Sequence, residues 1–400
     1  MAVAALPLRA TDNRLFSLDV FRGLTVAGMI LVTDPGTYSA VYKPLLHAQW
    51  ENPTATDMIF PSFLVMAGIA MTLSFAARLR RGETRRQLWL HVLRRSLTIF
   101  VLGLILNGFP DYNLHTIRIP GVLQRIALCY LLGSTLYLVA DSNADQSHNQ
   151  ASRRRSTVIA ITLVALLAFY WALLKLVPVP GFGAGRLDSL GNLGAYIDRG
   201  IFGIPHLWPY GTTPGYGVTF DPEGLLSTLP ALGTLLLGVL AGEWLLTAAS
   251  QARKAAGIAI AAVCLMLLGL VLSPFMPLTK KIWTSTFAIF SGGVALLLFS
   301  ILYVVLDIKR WRRWATPALV FGTNAILAFT FSGILTTSTD RIHIGGSGEA
   351  PLSLHTWTYL HVFATWLSPV NASLAYAITI VAVNLAILYP LYRKRIFLRL

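Results

Sequence analysis

His47 lies in a polar loop between the first two apolar runs of the chain, in the string Leu46-His47-Ala48-Gln49-Trp50. An imidazole titrates near pH ~6.5, so it can take up and return a proton at working pH, or accept an acyl group as a nucleophile. Further along, Asp57 precedes Ile59-Phe60-Pro61 and opens the second run. A carboxylate there either caps a helix N-terminus or orients the imidazole, as the acid partner does in a triad. The loop begins Thr33-Asp34-Pro35-Gly36, and Trp50 offers an aromatic face of the kind on which a sugar ring packs.

Other polar residues fall inside apolar sequence, where each needs a partner or a function. Arg125, in Gly121-Val122-Leu123-Gln124-Arg125, either binds an anion bidentately or forms an ion pair; Glu223 or Asp221 is the expected partner. Asp221-Pro222-Glu223-Gly224 reads as a helix start, with Asp221 as a cap and Glu223 free to face a cavity. Lys280, Lys281 and Trp283 read as snorkelling and interface-anchoring residues. Asp19 and Arg22 stand three apart on one helix face, as an intrahelical pair or as an entry site for a polyanionic cofactor. Glu243 and Asn324 are buried candidates without a defined role. Walker A, GxGxxG and HExxH motifs are absent, so nucleotide hydrolysis and zinc-protease chemistry find no support. Cys129 and Cys264 are isolated in apolar runs, which excludes a disulfide framework and a cysteine zinc site.

The elements that must position these residues are membrane helices. Of 400 residues, 55% are hydrophobic and 12% charged, against about 25% charged in a soluble domain. The expected class is an all-α, polytopic integral membrane bundle of about ten spans, forming one membrane domain over 1–400. The spans are expected near 18–33, 57–76, 95–108, 119–140, 156–177, 225–247, 255–273, 283–306, 318–336 and 372–391, the third extending back through Trp89–Arg94. Residues 354–367 are expected to form an outside or re-entrant helix. The first run carries no A-x-A site, so no cleavable signal peptide is expected.

The net charge of +15 could suggest nucleic acid, but its distribution does not. With both termini cytoplasmic, 23 of the 32 Lys and Arg fall on the inner side, among them Arg9, Arg14 and Arg399. Eight fall outside: Lys43, Arg118, Lys175, Arg186, Arg199, Lys280, Lys281 and Arg341. The loops 34–56, 109–118, 178–224, 274–282 and 337–354 then share the outer face, and with them His47. No internal repeat is visible, which weakens a two-fold transporter reading.

Several segments resemble the heparan-α-glucosaminide N-acetyltransferase family of membrane acyltransferases, as a bacterial member. They are 17–32 (SLDVFRGLTVAGMILV), 46–50 (LHAQW), 56–63 (TDMIFPSF), 118–130 (RIPGVLQRIALCY), 220–244 (FDPEGLLSTLPALGTLLLGVLAGEW), 278–287 (LTKKIWTSTF), 321–326 (FGTNAI) and 389–400 (YPLYRKRIFLRL). The large lumenal N-terminal domain and extra first helix of the animal enzyme are not among them. The resemblance implies an acetyl group carried from cytoplasmic acetyl-CoA to an amino sugar across the membrane, with His47 as the active-site histidine. It places Thr33 where the animal enzyme has an asparagine proposed to assist catalysis, so another donor, Gln124 or a loop N–H, is needed in its place. The expected site is therefore His47 and Asp57 as catalytic residues; Trp50, Thr33, Asp34, Gln124, Arg125, Asp221 and Glu223 around the substrate; and Asp19 and Arg22 toward the cofactor. The expected setting is the cell inner membrane, with acetyl-CoA, an amino-sugar acceptor and membrane lipid as partners. A homodimer is an open assembly, and nucleic acid is not a partner. The rival readings are a sugar permease or proton-coupled transporter, with His47, Asp57 and Glu223 as a relay, and an O-acyltransferase acting on envelope sugars.

Overall fold

A computed structural model describes residues 15–140, 148–345 and 351–397. Arg9, Arg14 and Arg399 lie outside the described residues. The protein is an all-α polytopic bundle. Its helices are α1 (Phe16–Thr33), α2 (Ile59–Arg80), α3 (Arg85–Gly108), α4 (Val122–Ala140), α5 (His148–Leu176), α6 (Leu193–Phe202), α7 (Thr228–Leu246), α8 (Gln251–Leu272), α9 (Ser285–Tyr303), α10 (Thr316–Thr323), α11 (Ala325–Arg341), α12 (Leu354–Thr358) and α13 (Pro369–Arg393). Two short antiparallel pairings, Thr212–Thr213 with Gly217–Val218 and His343–Ile344 with Leu352–Ser353, are the only sheet among the described residues.

Among the described residues, nine helices are long and apolar enough to cross a membrane, or ten if α10 and α11 count as one broken span. The span expected over 318–336 is interrupted at Asn324, where the chain bends by 75°. The third span begins at Arg85, where Thr84 and Gln87 form a capping box, and so includes Trp89–Arg94 as expected. The segment from Leu354 makes only the short α12 and one wide turn over Tyr359–Phe363, far below the length needed to cross.

The core gathers around α7, which packs on α2, α4, α5 and α9. Close approach of α2 and α7 depends on glycine. A Cβ at Gly68 would lie 2.2 Å from Leu235 O, and one at Gly238 would lie 2.0 Å from Val65 O. Side chains facing away from the core remain apolar, as with Leu97, Ile161, Val164, Ile260 and Val271, because their solvent is lipid.

The five loops expected to share a face do meet at one end of the bundle. Lys280 reaches His47, and Trp50 donates to Leu187 O. Arg118 bonds Asp221, Arg341 bonds Asp111, and His355 bonds Pro35 O. The opposite, basic end holds the start of α1, where Asp307 accepts the backbone N–H groups of Phe16 and Ser17.

Candidate active site

At the loop end, Asp57 is 1% exposed and the His47 ring 48% exposed. His47 Nδ1 lies 2.7 Å from Asp57 Oδ1. Asp57 Oδ2 accepts the backbone N–H groups of Ala48 (3.0 Å) and Thr54 (2.9 Å) and the Thr54 hydroxyl (3.2 Å). All these donors precede Asp57 in sequence, and no side-chain cap forms at the turn over Thr56–Met58 or at the start of α2. The carboxylate therefore ties the loop and the imidazole to the helix instead of capping it. An ionised, donor-surrounded Asp57 assigns the His47 proton to Nδ1. Nε2 is left with its lone pair and with no hydrogen-bond partner among the described residues.

Lys280 completes this group, with Nζ 3.0 Å from His47 Nδ1 and 3.5 Å from Asp57 Oδ1. It is a site neighbour that snorkelling did not foresee. Burial pushes its ammonium below the ordinary lysine value, against the opposing pull of Asp57 and Glu223. One signal in the sequence marked it: Lys280 and Lys281 are cations on the face where basic residues are scarce, so each needs a local reason to be there.

The partner expected for Arg125 belongs to another residue. Arg118 grips Asp221 bidentately, Nε–Oδ2 at 2.8 Å and Nη2–Oδ1 at 2.6 Å, and reaches Glu223 Oε2 at 2.5 Å. Burial opposes the charge on Glu223, yet Arg118, Arg125 and Lys280 outweigh it and hold the carboxyl below its ordinary value. Arg125 is 1% exposed and donates through Nη2 to Gly224 O at 2.9 Å and to Ser227 Oγ. Its guanidinium lies 5.3 Å from the Trp283 ring centre, and its Nε and Nη1 have no partner among the described residues. Asp221 is not the cap of α7, which starts at Thr228; it braces the preceding turn by accepting from Glu223 N and Trp208 N.

The remaining expected residues divide. Trp50 spends its indole N–H on Leu187 O at 2.9 Å, packs edge-on to Phe220, and lies 5.9 Å from Lys281 Nζ. Gln124 packs its amide over Gly103 and Gly121, where a Cβ would collide with it. Thr33 donates to Met29 O at 2.9 Å, a bond within its own helix. Asp34 is buried in a separate cluster with Ser332 (3.1 Å) and Thr336 on α11. Its burial raises the carboxyl above its ordinary value, against those hydrogen bonds. No hydrogen bond or ion pair joins that cluster directly to His47 among the described residues. Asp19 and Arg22 form their expected pair at 3.4 Å at the basic end, beside the contact of α1 with Gly322. Between the two ends, α1, α2, α4 and α11 leave a small cavity of about 30 Å³ lined by Met29, Phe60, Phe63, Ile126 and Phe329. It is apolar; the hydroxyl of Thr25 in its wall is bonded to Phe21 O.

The family model for the catalytic region of heparan-alpha-glucosaminide N-acetyltransferase matches residues 14–147, a stretch that holds His47, Asp57, Arg118 and Arg125. Heparan-alpha-glucosaminide N-acetyltransferase of Mus musculus is 30% identical over 362 residues, 82% of this chain and 54% of the relative. The Homo sapiens protein of that name is 29% identical over 358 residues, 80% of this chain and 53% of the relative. The chain belongs to the heparan-α-glucosaminide N-acetyltransferase family. It spans about half the length of these relatives. Within the family frame, the matched region supplies the His47–Asp57 dyad, while Lys280 reaches it from beyond residue 147.

Proposed function

We propose that this chain is a transmembrane N-acetyltransferase that moves an acetyl group from acetyl-CoA to an amino sugar at the loop end of the bundle. The membrane is the cell inner membrane, and the basic end faces the cytoplasm. The observation that carries the reading is an imidazole held by a buried carboxylate through Nδ1, with Nε2 free on the half-exposed side of the ring. An amino sugar is cationic at neutral pH and must lose a proton before it can attack. Nε2 takes that proton. The amine then attacks the thioester carbonyl carbon, the C–N bond forms and the C–S bond breaks. The departing CoA thiolate receives the proton from the imidazolium, and the regenerated Nε2 takes the second proton from the attacking nitrogen and releases it to solvent, leaving the neutral amide. Asp57 steadies the imidazolium throughout.

Family membership supports the acetyl donor, whose diphosphate stays at the basic end near Arg22. The route through an acetyl-imidazole would use the same Nε2; a burst of free CoA in the absence of acceptor would mark it. The deciding experiment is radiolabelled acetyl transfer to glucosamine by the purified protein in proteoliposomes. Sugar uptake without acetyl-CoA consumption would support a permease instead, and transfer to hydroxyls alone would support an O-acyltransferase.

A further inference from the structure

Asp57 distributes its two oxygens unequally. Oδ2 is taken up by Ala48 and Thr54, while Oδ1 is shared between His47 Nδ1 and Lys280 Nζ, two nitrogens only 3.0 Å apart. A buried carboxylate with no other counter-charge favours a protonated imidazole beside it. The base would then rest in the form that cannot accept a proton. An ammonium on the same oxygen changes the count, because the charges of Asp57 and Lys280 then cancel. Once Nε2 takes the amine proton, the imidazolium faces a second cation, and passing that proton to the CoA thiolate relieves the contact.

We propose that Lys280 is a positioning residue for the acetyl transfer, supplying the counter-charge of Asp57 so that His47 stays in its proton-accepting form. This rests on the acetyl-transfer reading above. Four groups face Lys280: Asp57 from the turn before α2, Glu223 from the segment before α7, Arg125 from α4 and Lys281 from its own loop. The two carboxylates favour its charge and the two cations oppose it. Burial also opposes it, so the ammonium depends on Asp57 as much as Asp57 depends on it.

Two readouts on the full-length protein test this, one of them independent of turnover. The first is the pH–rate profile of acetyl transfer. The second is the pH dependence of diethyl pyrocarbonate labelling at His47, which requires the unprotonated ring, read by mass spectrometry; the exposed His115 serves as an internal control. Lys280→Met is expected to move the acidic limb of the profile and the His47 labelling curve to higher pH by about one unit or more, with KM for acetyl-CoA unchanged. Lys280→Arg should keep both curves near their original positions, because the charge is retained. If Lys280→Met does not fold, Lys280→Gln makes the same comparison. A variant that is slower at every pH, with both curves unmoved, would overturn the proposal and leave Lys280 a structural residue. A labelling curve that moves while the rate profile stays would show that the charges are coupled but that His47 is not the base, and the acetyl-transfer role of the dyad would fall instead.

Discussion

Asp57 and Glu243 are both nearly fully buried carboxylates at the ends of long helices, and both collect several donors. Around Glu243, near the basic end of α7, Oε1 accepts from Tyr137 at 2.8 Å, while Oε2 accepts from Ser152 at 2.9 Å and Arg155 at 2.8 Å. The Arg155 guanidinium also covers the Tyr137 ring at 4.5 Å. Among the described residues its charges face one another, and its partners come from α4, α5 and α7. Around Asp57 the network runs outward instead, through His47 to a ring nitrogen with no hydrogen-bond partner among the described residues. A closed buried network ties helices together, whereas an open one keeps reactive capacity in place at some cost in packing.

The most severe way to test the contrast is to cut the closed network. Glu243→Ala removes the buried carboxylate shared by Tyr137, Ser152 and Arg155, and a loss of stability of about 3–5 kcal/mol is expected. Thermal unfolding in detergent should show it, and Arg155→Leu added to Glu243→Ala should recover part of the loss. Full stability in the single variant would show that the two networks do not differ as described. The open network should behave oppositely. His47→Ala is expected to keep its melting temperature and its acetyl-CoA binding while losing acetyl transfer by ~10²-fold or more. His47→Asn should be as poor, since an amide cannot exchange a proton at neutral pH. Transfer at the original rate by either variant would end the histidine mechanism.

Arg125 tests where the boundary lies. Its bonds to Gly224 O and Ser227 hold the start of α7, so Arg125→Lys should lower stability by about 1–2 kcal/mol and leave donor affinity unchanged. A fall in acetyl-CoA affinity would instead place Arg125 among the ligand-binding groups. The smallest effect is expected at Asp198 on α6, which accepts from Leu225 N at 2.8 Å. Burial pushes this carboxyl up to about 7 from 3.8. The folded state therefore binds its proton more tightly than the unfolded state. The stability this provides is complete below about pH 4 and is lost as pH rises to about 7. Asp198→Asn should raise the melting temperature by a few degrees at pH 8 and change little at pH 4. An equal gain at both pH values would contradict the assignment.

The sequence by itself determined the class of molecule, the number of spans to within one broken helix, and the set of loops that come together. These follow from run length, apolar content and the placement of Lys and Arg, which are local or additive properties of the chain. It also singled out His47 and Asp57, because an imidazole and a carboxylate flanking a membrane re-entry are chemically conspicuous and close in sequence. The pairing of charges was decided only by the tertiary structure. Asp57 looked like a helix cap, but its donors come from the folded-back loop. Arg125 seemed the natural partner of Glu223, yet Arg118, seven residues earlier and one of the few cations on that face, holds both Asp221 and Glu223. Lys280 looked like an anchor in the headgroup region and instead completes the dyad from 233 residues away. Hydrophobic periodicity tells which residues are withdrawn from lipid or water, but a salt bridge forms over a few ångströms. Which arginine or lysine reaches a given carboxylate depends on how α2, α4, α7 and the loop before α9 pack, and that information is distributed over the whole bundle.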